Sequence, residues 1–285
     1  MNLKRIITLF ASATILHAHA FAGSAFLAGI TEGDARYDVK KLFNGQDDDL
    51  CWAFSASNAI KYWQDTKASC GIEIPAGTPA GAPSGQYSSD IAQTFVDNWT
   101  NGGGDEQNAF TWWMSGEIAQ PLDPEEAALK PGSSGGAYWA GTPYAGPVDD
   151  IAEEISLDGM ESGFLKTVLD DSIANGFALT CGIYADWGAH ALSLWGYEFD
   201  DDLGAITGLW ICDSDNEYLG NFLVDLSWND AMNRWDLGNS ASGSDYSGWH
   251  LEDITALEAV IPEPAHIALL LSLFAAAVSA AWRRQ

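Results

Sequence analysis

The sequence predicts an α+β fold, because helical patterns dominate its first half and strand patterns its second half. Within residues 40–63, apolar side chains recur at offsets of four, three and four from Trp52, which indicates an amphipathic helix beginning near Cys51. Three later segments are rich in apolar, β-branched and aromatic residues and predict strands, at 177–184, 189–199 and 205–212. Helices followed by an antiparallel sheet are typical of the α+β class.

Weaker patterns supply the remaining elements. Leu165, Leu169 and Ile173 lie four residues apart and predict a helix over 161–175, which Gly176 would end. Further segments predict a short helix at 91–99, a helix or a cleft-lining loop at 109–117, and strands at 218–226 and 254–260. An acidic turn at 200–204 predicts a hairpin, and irregular chain is expected at 23–39, 71–89 and 121–147.

Composition excludes several classes of protein. The chain has 285 residues, of which 47% are hydrophobic and 13 are Trp, so it is not intrinsically disordered. Its formal net charge of −28 argues against binding to nucleic acid or to anionic membrane surfaces. The acidic turn at 200–204 lacks the glutamate that closes a calcium loop, so no metal is expected there.

Both ends of the chain carry targeting patterns, which leaves 23–260 as one domain. Residues 1–22 combine two basic residues, a short apolar run and small residues, which predicts a secretory signal peptide. At the other end, 261–285 contains Pro262-Glu263-Pro264, an uncharged run long enough to span a bilayer, and terminal arginines. This tail resembles the PEP-CTERM sorting signal of Gram-negative bacteria. The resemblance implies export, transient inner-membrane anchoring, processing by an exosortase, and an extracellular or cell-surface location; a plain membrane anchor is the alternative.

The position of Cys51 at a predicted helix start suits a nucleophile. Unpaired N–H groups and the helix dipole stabilise a thiolate there; an inert buried cysteine is the alternative. If Cys51 reacts, three cysteines remain and at most one disulfide forms, for which Cys181–Cys212 is favoured over a pair with Cys70.

A base and an orienting acid follow in the second half of the chain. Three histidines lie in the terminal segments, which leaves His190 and His250. His190 lies in a predicted strand 139 residues after Cys51, within the roughly 130–150 residues typical of papain-type enzymes. The predicted hairpin places Asp213 at the same end as His190, where it could accept the imidazole N–H. Asp215 is the competing or supporting acid.

These residues lie in segments that resemble the IdeS/Mac family of cysteine peptidases. Residues 37–51, His190 with Leu194-Trp195-Gly196, and Asp213-Ser214-Asp215 carry the resemblance. It implies a papain-like fold with the nucleophile at a helix N-terminus and with the histidine and the acid on an antiparallel sheet. It also implies a Cys51-His190-Asp213 triad and an oxyanion hole assisted by Lys41, ten residues before the cysteine. Lys40 is expected to be solvated.

Function is therefore expected to be that of a secreted cysteine endopeptidase acting on a protein substrate, without metal or cofactor. The papain family proper is disfavoured, because Gln46 is five rather than six residues before the cysteine and no asparagine-tryptophan motif follows the histidine. The alternative is a non-catalytic extracellular matrix or surface protein on the same scaffold, binding a ligand through aromatics such as Trp112, Trp113 and Trp139.

Overall fold

A computed structural model describes residues 23–81, 89–142 and 147–258 of the chain, and strands predominate in the second half. Four helices occur: α1 Cys51–Ser69, α2 Asp90–Asn98, α3 Glu106–Ser115 and α4 Ser162–Asn175. A 3₁₀ turn spans Val148–Asp150. Eight strands accompany them: β1 Gly23–Phe26, β2 Ala152–Ser156, β3 Ala178–Ala185, β4 Gly188–Asp200, β5 Ala205–Cys212, β6 Phe222–Asn229, β7 Arg234–Ser240 and β8 His250–Leu257.

Six of these strands close into an antiparallel barrel. Each strand from β3 to β7 pairs with the next along the chain, and β8 pairs with both β7 and β3. Strand β1 pairs with the second half of β4, and β2 pairs with the second half of β8. The predicted papain-like α+β class is therefore wrong: the described residues form a mostly β fold, a closed six-stranded barrel with four helices.

The closure of the barrel was not predicted from the sequence, because its last strands have only weak strand patterns. Strand β7 reads RWDLGNS, with only two large apolar residues, and it was not predicted. Strand β8 begins at His250, four residues before the predicted strand at 254–260. Strand β1 lies in the lead that was expected to be irregular.

Most local predictions in the described residues are confirmed. Helix α1 begins at Cys51, and α4 ends at Gly176, whose φ of 68° is the left-handed conformation that glycine adopts readily. Strands β4 and β5 pair across the acidic turn at 200–204, as the predicted hairpin requires. The segment at 109–117 is helical and begins earlier, where Asp105 accepts a hydrogen bond from Asn108 N–H as an N-cap.

Helix α1 packs against the barrel wall formed by β3 and β4. Its predicted apolar face is fully buried, comprising Trp52, Ala56, Ala59, Ile60 and Trp63. The aromatics proposed as a ligand surface are also core residues: Trp112, Trp113 and Trp139 are at most 2% exposed. They pack against Phe95, Tyr138 and Trp63, so these three side chains belong to the core and do not form an exposed ligand surface.

The four cysteines are free thiols, and the predicted Cys181–Cys212 disulfide is wrong. Cys181 on β3 lies opposite Leu192, and Cys212 on β5 lies opposite Ser193, so the two cysteines flank β4 on opposite sides. Two strand spacings are roughly 9–10 Å, beyond the Cα separation that a disulfide allows.

The two targeting segments, 1–22 and 261–285, lie outside the described residues. Within 23–81, 89–142 and 147–258, no helix has the length and apolar content needed to cross a membrane.

Candidate functional site

The thiol of Cys51 lies where the first turn of α1 meets the barrel. Cys51 is the first helical residue, so its N–H has no acceptor in a preceding turn. Its thiol lies close enough to His190 on β4 and to the backbone of Ala191 for both to lower its pKa. The helix start and the barrel wall thus hold the thiol against an imidazole.

The imidazole of His190 is fixed by Asp213. Strand β4 carries His190 near its start, and Asp213 directly follows the last residue of β5. His190 Nε2 lies 2.8 Å from Asp213 Oδ1, which leaves Nδ1 for the thiol. The side chains of both residues are largely buried, with 12% and 8% exposed. A carboxylate in this position fixes the ring and the tautomer in which Nε2 carries the proton.

The Asp213 carboxylate is itself held by two further donors. Tyr246 Oη donates to Oδ2 over 2.6 Å, and the N–H of Asp215 donates to Oδ1 over 2.8 Å. Burial alone would raise the pKa of Asp213, but the His190 charge and these hydrogen bonds outweigh it and lower the pKa to about 2. The carboxylate therefore stays ionised at any physiological pH.

The thiol and the imidazole perturb each other's protonation. Burial acts to raise the pKa of Cys51, but the His190 hydrogen bond and the charges of His190 and Lys41 lower it below the ordinary value. Burial acts to lower the pKa of His190, but Asp213 and Cys51 together raise it well above its usual range. Opposite shifts of this kind favour a thiolate–imidazolium pair.

Lys41 is 3% exposed and lies close enough to the thiol for its charge to lower the pKa of Cys51. Its ammonium lies 2.7 Å from Asp215 Oδ1 and donates to the carbonyl oxygen of Asp48 over 2.7 Å. Asp215 Oδ2 is 4.0 Å from His190 Nδ1, so Asp215 faces both cations without making the hydrogen bond that Asp213 makes. The five residues singled out in the sequence are therefore brought together.

Lys40 is not solvated, and that prediction is wrong. Its ammonium lies 2.7 Å from Asp38 Oδ1 and donates to the carbonyl oxygen of Asp213 over 2.7 Å. The side chains of Lys40 and Asp38 are 2% and 0% exposed. The pair anchors the segment before α1 to the loop that follows β5, and so it supports the acid of the site.

Several residues of the site were not predicted. Tyr246 lies in a polar loop whose sequence gives no sign of its bond to Asp213. Trp249 packs 6.3 Å from the His190 ring, and Trp187, 68% exposed, packs against Trp249. Each of these two tryptophans directly precedes a strand that carries a candidate histidine, and this was the only available signal. His250, the other candidate base, lies 3.3 Å from Glu252 rather than at the thiol.

Three groups of the site lie close enough to share a cation: His190, Asp213 and Asp215 have ligand atoms within 4.8 Å of one another. Each already has a protein partner, because Asp213 binds His190 and Tyr246 while Asp215 pairs with Lys41.

Comparison with known proteins adds no assignment. Neither a scan against protein-family models nor a search of curated proteins finds a match to this chain. Arguments about function therefore rest on the geometry of the site and on the sequence motifs.

Proposed function

We propose that this chain is a cysteine endopeptidase that hydrolyses peptide bonds of protein substrates. The observation that carries the proposal is that His190, whose Nε2 lies 2.8 Å from Asp213 Oδ1, also lies close enough to the Cys51 thiol to lower its pKa. A nucleophile, a base and a group that orients the base are the parts that covalent acyl transfer requires. The resemblance of the surrounding segments to IdeS/Mac peptidases supports the same reaction class, although not their substrate.

The reaction follows from the charges of the pair. The Cys51 thiolate attacks the carbonyl carbon, and the C–O π electrons move to oxygen to form a tetrahedral oxyanion. Collapse breaks the C–N bond while His190 gives its Nδ1 proton to the leaving amine, which leaves a thioester. His190 then takes a proton from water, the hydroxide oxygen attacks the thioester, and the acid product leaves with the thiolate restored.

Two donors can hold the oxyanion. One is the N–H of Cys51 at the helix start, which has no hydrogen-bond acceptor among the described residues. The other is Lys41, whose ammonium pairs with Asp215 and donates to the carbonyl oxygen of Asp48. Its positive charge already lowers the pKa of Cys51, and it would stabilise a negative charge that develops beside the thiol.

The proposal is tested by digesting a bacterial proteome with the purified chain and identifying new peptide N-termini by mass spectrometry. The wild type should generate termini that Cys51→Ala and His190→Ala do not. Asp213→Asn should reduce the cleavage rate by roughly 10²–10⁴, and Asp215→Asn by less. Cleavage by Cys51→Ala within tenfold of wild type would overturn the proposal, and a larger loss at Asp215 would overturn the acid assignment.

We also propose that the protein is exported and cut free of its C-terminal segment. The support comes from the sequence of 1–22 and 261–285 alone. The test is to express the protein in an exosortase-bearing Gram-negative host and to determine both termini of the protein recovered from the culture medium. Both segments should be missing. Recovery with both segments attached, or only from the cytoplasm, would contradict it.

A further inference from the structure

A second group of carboxyls, one of which lies within electrostatic reach of the thiol, has no role in the reaction described above. Its four members come from the start of α3 and from strands β2 and β8, which α3 contacts: Asp105, Glu106, Glu154 and Asp253. The charge of Cys51 acts on Glu106, and Asp253 lies two strands from the backbone that contacts the thiol.

The barrel wall aims Asp253 towards the thiol. Ala191, Gly182 and Asp253 lie opposite one another on β4, β3 and β8, so they share one face of the sheet. The N–H of Gly182 donates to Asp253 Oδ1 over 3.1 Å. A Cβ at Gly182 would lie 2.3 Å from Asp253 Oδ2, so the carboxylate occupies the space of the missing side chain. It therefore leans along the row towards Ala191, which contacts Cys51.

Glu106 lies close enough to Asp253 and Cys51 for their charges to raise its pKa, and one of its carboxyl oxygens lacks a hydrogen-bond donor. It is 7% exposed, and its Oε1 is buried without a hydrogen-bond partner among the described residues. Burial of an unpartnered carboxyl is unfavourable. Burial, followed by the charges of Asp253 and Asp105, raises the pKa of Glu106 well above its ordinary value. A cationic donor brought in by a ligand would satisfy this oxygen.

The loop before α3 is built close to the nucleophile. Gly104 lies against Trp52, since a Cβ there would be 2.5 Å from Trp52 Cε2, and Trp52 Nε1 donates to the carbonyl oxygen of Gly102 over 3.0 Å. Trp52 directly follows Cys51 in the chain. The indole thus fixes the helix start that carries Glu106 relative to the thiol.

We propose that Glu106 and Asp253 form a specificity subsite for a lysine or arginine side chain of the substrate. The proposal rests on the proposed peptidase function and names its substrate class. Two strand spacings separate Asp253 from Ala191 by about 10 Å, and an extended peptide advances about 3.4 Å per residue. The basic residue therefore lies within about three positions of the scissile bond.

A divalent cation fits this acidic cluster less well than a basic side chain does. Among the described residues, the grouping whose ligand atoms converge within 4.8 Å is His190 with Asp213 and Asp215, and it includes no member of this acidic cluster. Carboxyls spaced more widely suit a long cationic side chain, whose several N–H donors reach more than one oxygen.

The test compares matched peptides that carry lysine or the uncharged norleucine at each position from P3 to P3′ of a site found in the proteome digest. We expect wild-type kcat/KM to favour lysine at one position by at least about tenfold. Asp253→Asn and Glu106→Gln should each lower that ratio by up to about tenfold, towards equal rates, since one charge-assisted hydrogen bond contributes at least that much. Glu252→Gln, the neighbouring acid on the other face of β8, is the matched control and should keep the ratio within about twofold.

Gly182→Ala provides a second test, because its Cβ displaces the Asp253 carboxylate without removing the charge. This variant should also lower the ratio of kcat/KM for the lysine peptide to that for the norleucine peptide. Binding of the lysine peptide to Cys51→Ala, measured by calorimetry, gives a readout independent of catalysis and should weaken in Cys51→Ala/Asp253→Asn. Cleavage of lysine and norleucine peptides at equal rates would overturn the subsite while leaving the peptidase intact. Tight lysine-peptide binding without any cleavage would support the subsite and count against the peptidase.

Discussion

At the Cys51 thiol, two opposing effects decide which protonation state prevails. Burial favours the neutral thiol, while the His190 hydrogen bond and the nearby charges of His190 and Lys41 favour the thiolate, and the cationic groups win. Asp213 keeps His190 protonated in turn, because its own pKa is held at about 2. The nucleophile therefore depends on a series of neighbours, each of which is largely buried.

Lys41 and Lys40 are adjacent in the chain, but substituting them should have different effects, the first on catalysis and the second on stability. Lys41→Met removes the charge near the oxyanion and should lower kcat by roughly 10²–10³ with little change in KM. Lys40→Met leaves the Asp38 carboxylate buried without its partner and should lower the free energy of unfolding by about 3–5 kcal/mol. Steady-state kinetics and urea unfolding measure the two effects.

Lys166, a half-buried lysine on α4 that pairs with Asp170, is the control, and Lys166→Met should leave kcat unchanged. If Lys41→Met retains wild-type kcat, the ammonium has no part in the oxyanion hole. If Lys40→Met is as stable as wild type, the buried ion pair does not hold the segment before α1.

The residues that we propose to react could be selected from the sequence because each carries chemistry that few residue types supply. Cys51, His190 and Asp213 were found from a helix start, a strand and a hairpin. Tyr246 and Lys40 could not be found in this way, because their roles depend on loops brought together by the barrel. A buried lysine looks the same in sequence as an exposed one.

At the level of elements, the β4–β5 hairpin and helix α1 position the site. The hairpin was predictable because a turn-forming acidic segment separates two strongly patterned strands. Asn58 joins three segments: its Nδ2 donates to Ser193 Oγ on β4 over 3.0 Å, and its Oδ1 accepts from the N–H of Val39 over 3.0 Å. This amide fixes α1 relative to both the barrel and the segment before α1, which carries Lys40 and Lys41.

Asn58→Ala should therefore destabilise the fold more than an ordinary loss of one hydrogen bond. Two buried groups, Ser193 Oγ and Val39 N–H, would each lose a partner, and we expect a loss of about 2–4 kcal/mol in the free energy of unfolding. Asn175→Ala, at the exposed end of α4, is the control and should change stability by less than about 1 kcal/mol. Equal urea midpoints for the two variants would show that Asn58 does not link these elements.

At the scale of the whole molecule, barrel closure and charge distribution are the main features that the sequence does not reveal. The pairing of β3 with β8 joins segments about 70 residues apart, and no local pattern specifies such a contact. The net charge of −28 was evident, but which carboxyls lie buried was not. Burial depends on the packing of α3 and β2 against the barrel.

These buried carboxyls predict an unusual dependence of stability on pH. Burial raises the pKa of Asp38 and Asp253 to about 6 and that of the half-buried Glu258 to about 7. The folded state then binds more protons than the unfolded state between about pH 4 and 7, so stability should fall as pH rises through that window. Asp213 acts oppositely: its contribution is lost as pH falls towards 2.

We therefore expect the highest Tm near about pH 4–5 rather than at neutral pH, measured by circular dichroism from pH 3 to 8. Asp253→Asn removes one titrating group and should flatten the decline between pH 5 and 7. A Tm that climbs steadily up to pH 8 would contradict the burial of these carboxyls.

The central claim is that His190 holds Cys51 as a thiolate, and competitive alkylation tests it most directly. Cys70 is exposed and serves as a reference within the same chain, since Cys51 is less accessible. With iodoacetamide at about pH 6.5, where a free thiol of pKa about 8.5 is largely protonated, Cys51 should react at least about tenfold faster than Cys70. In His190→Ala the order should reverse. Slower alkylation of Cys51 than of Cys70 in the wild type would contradict the account.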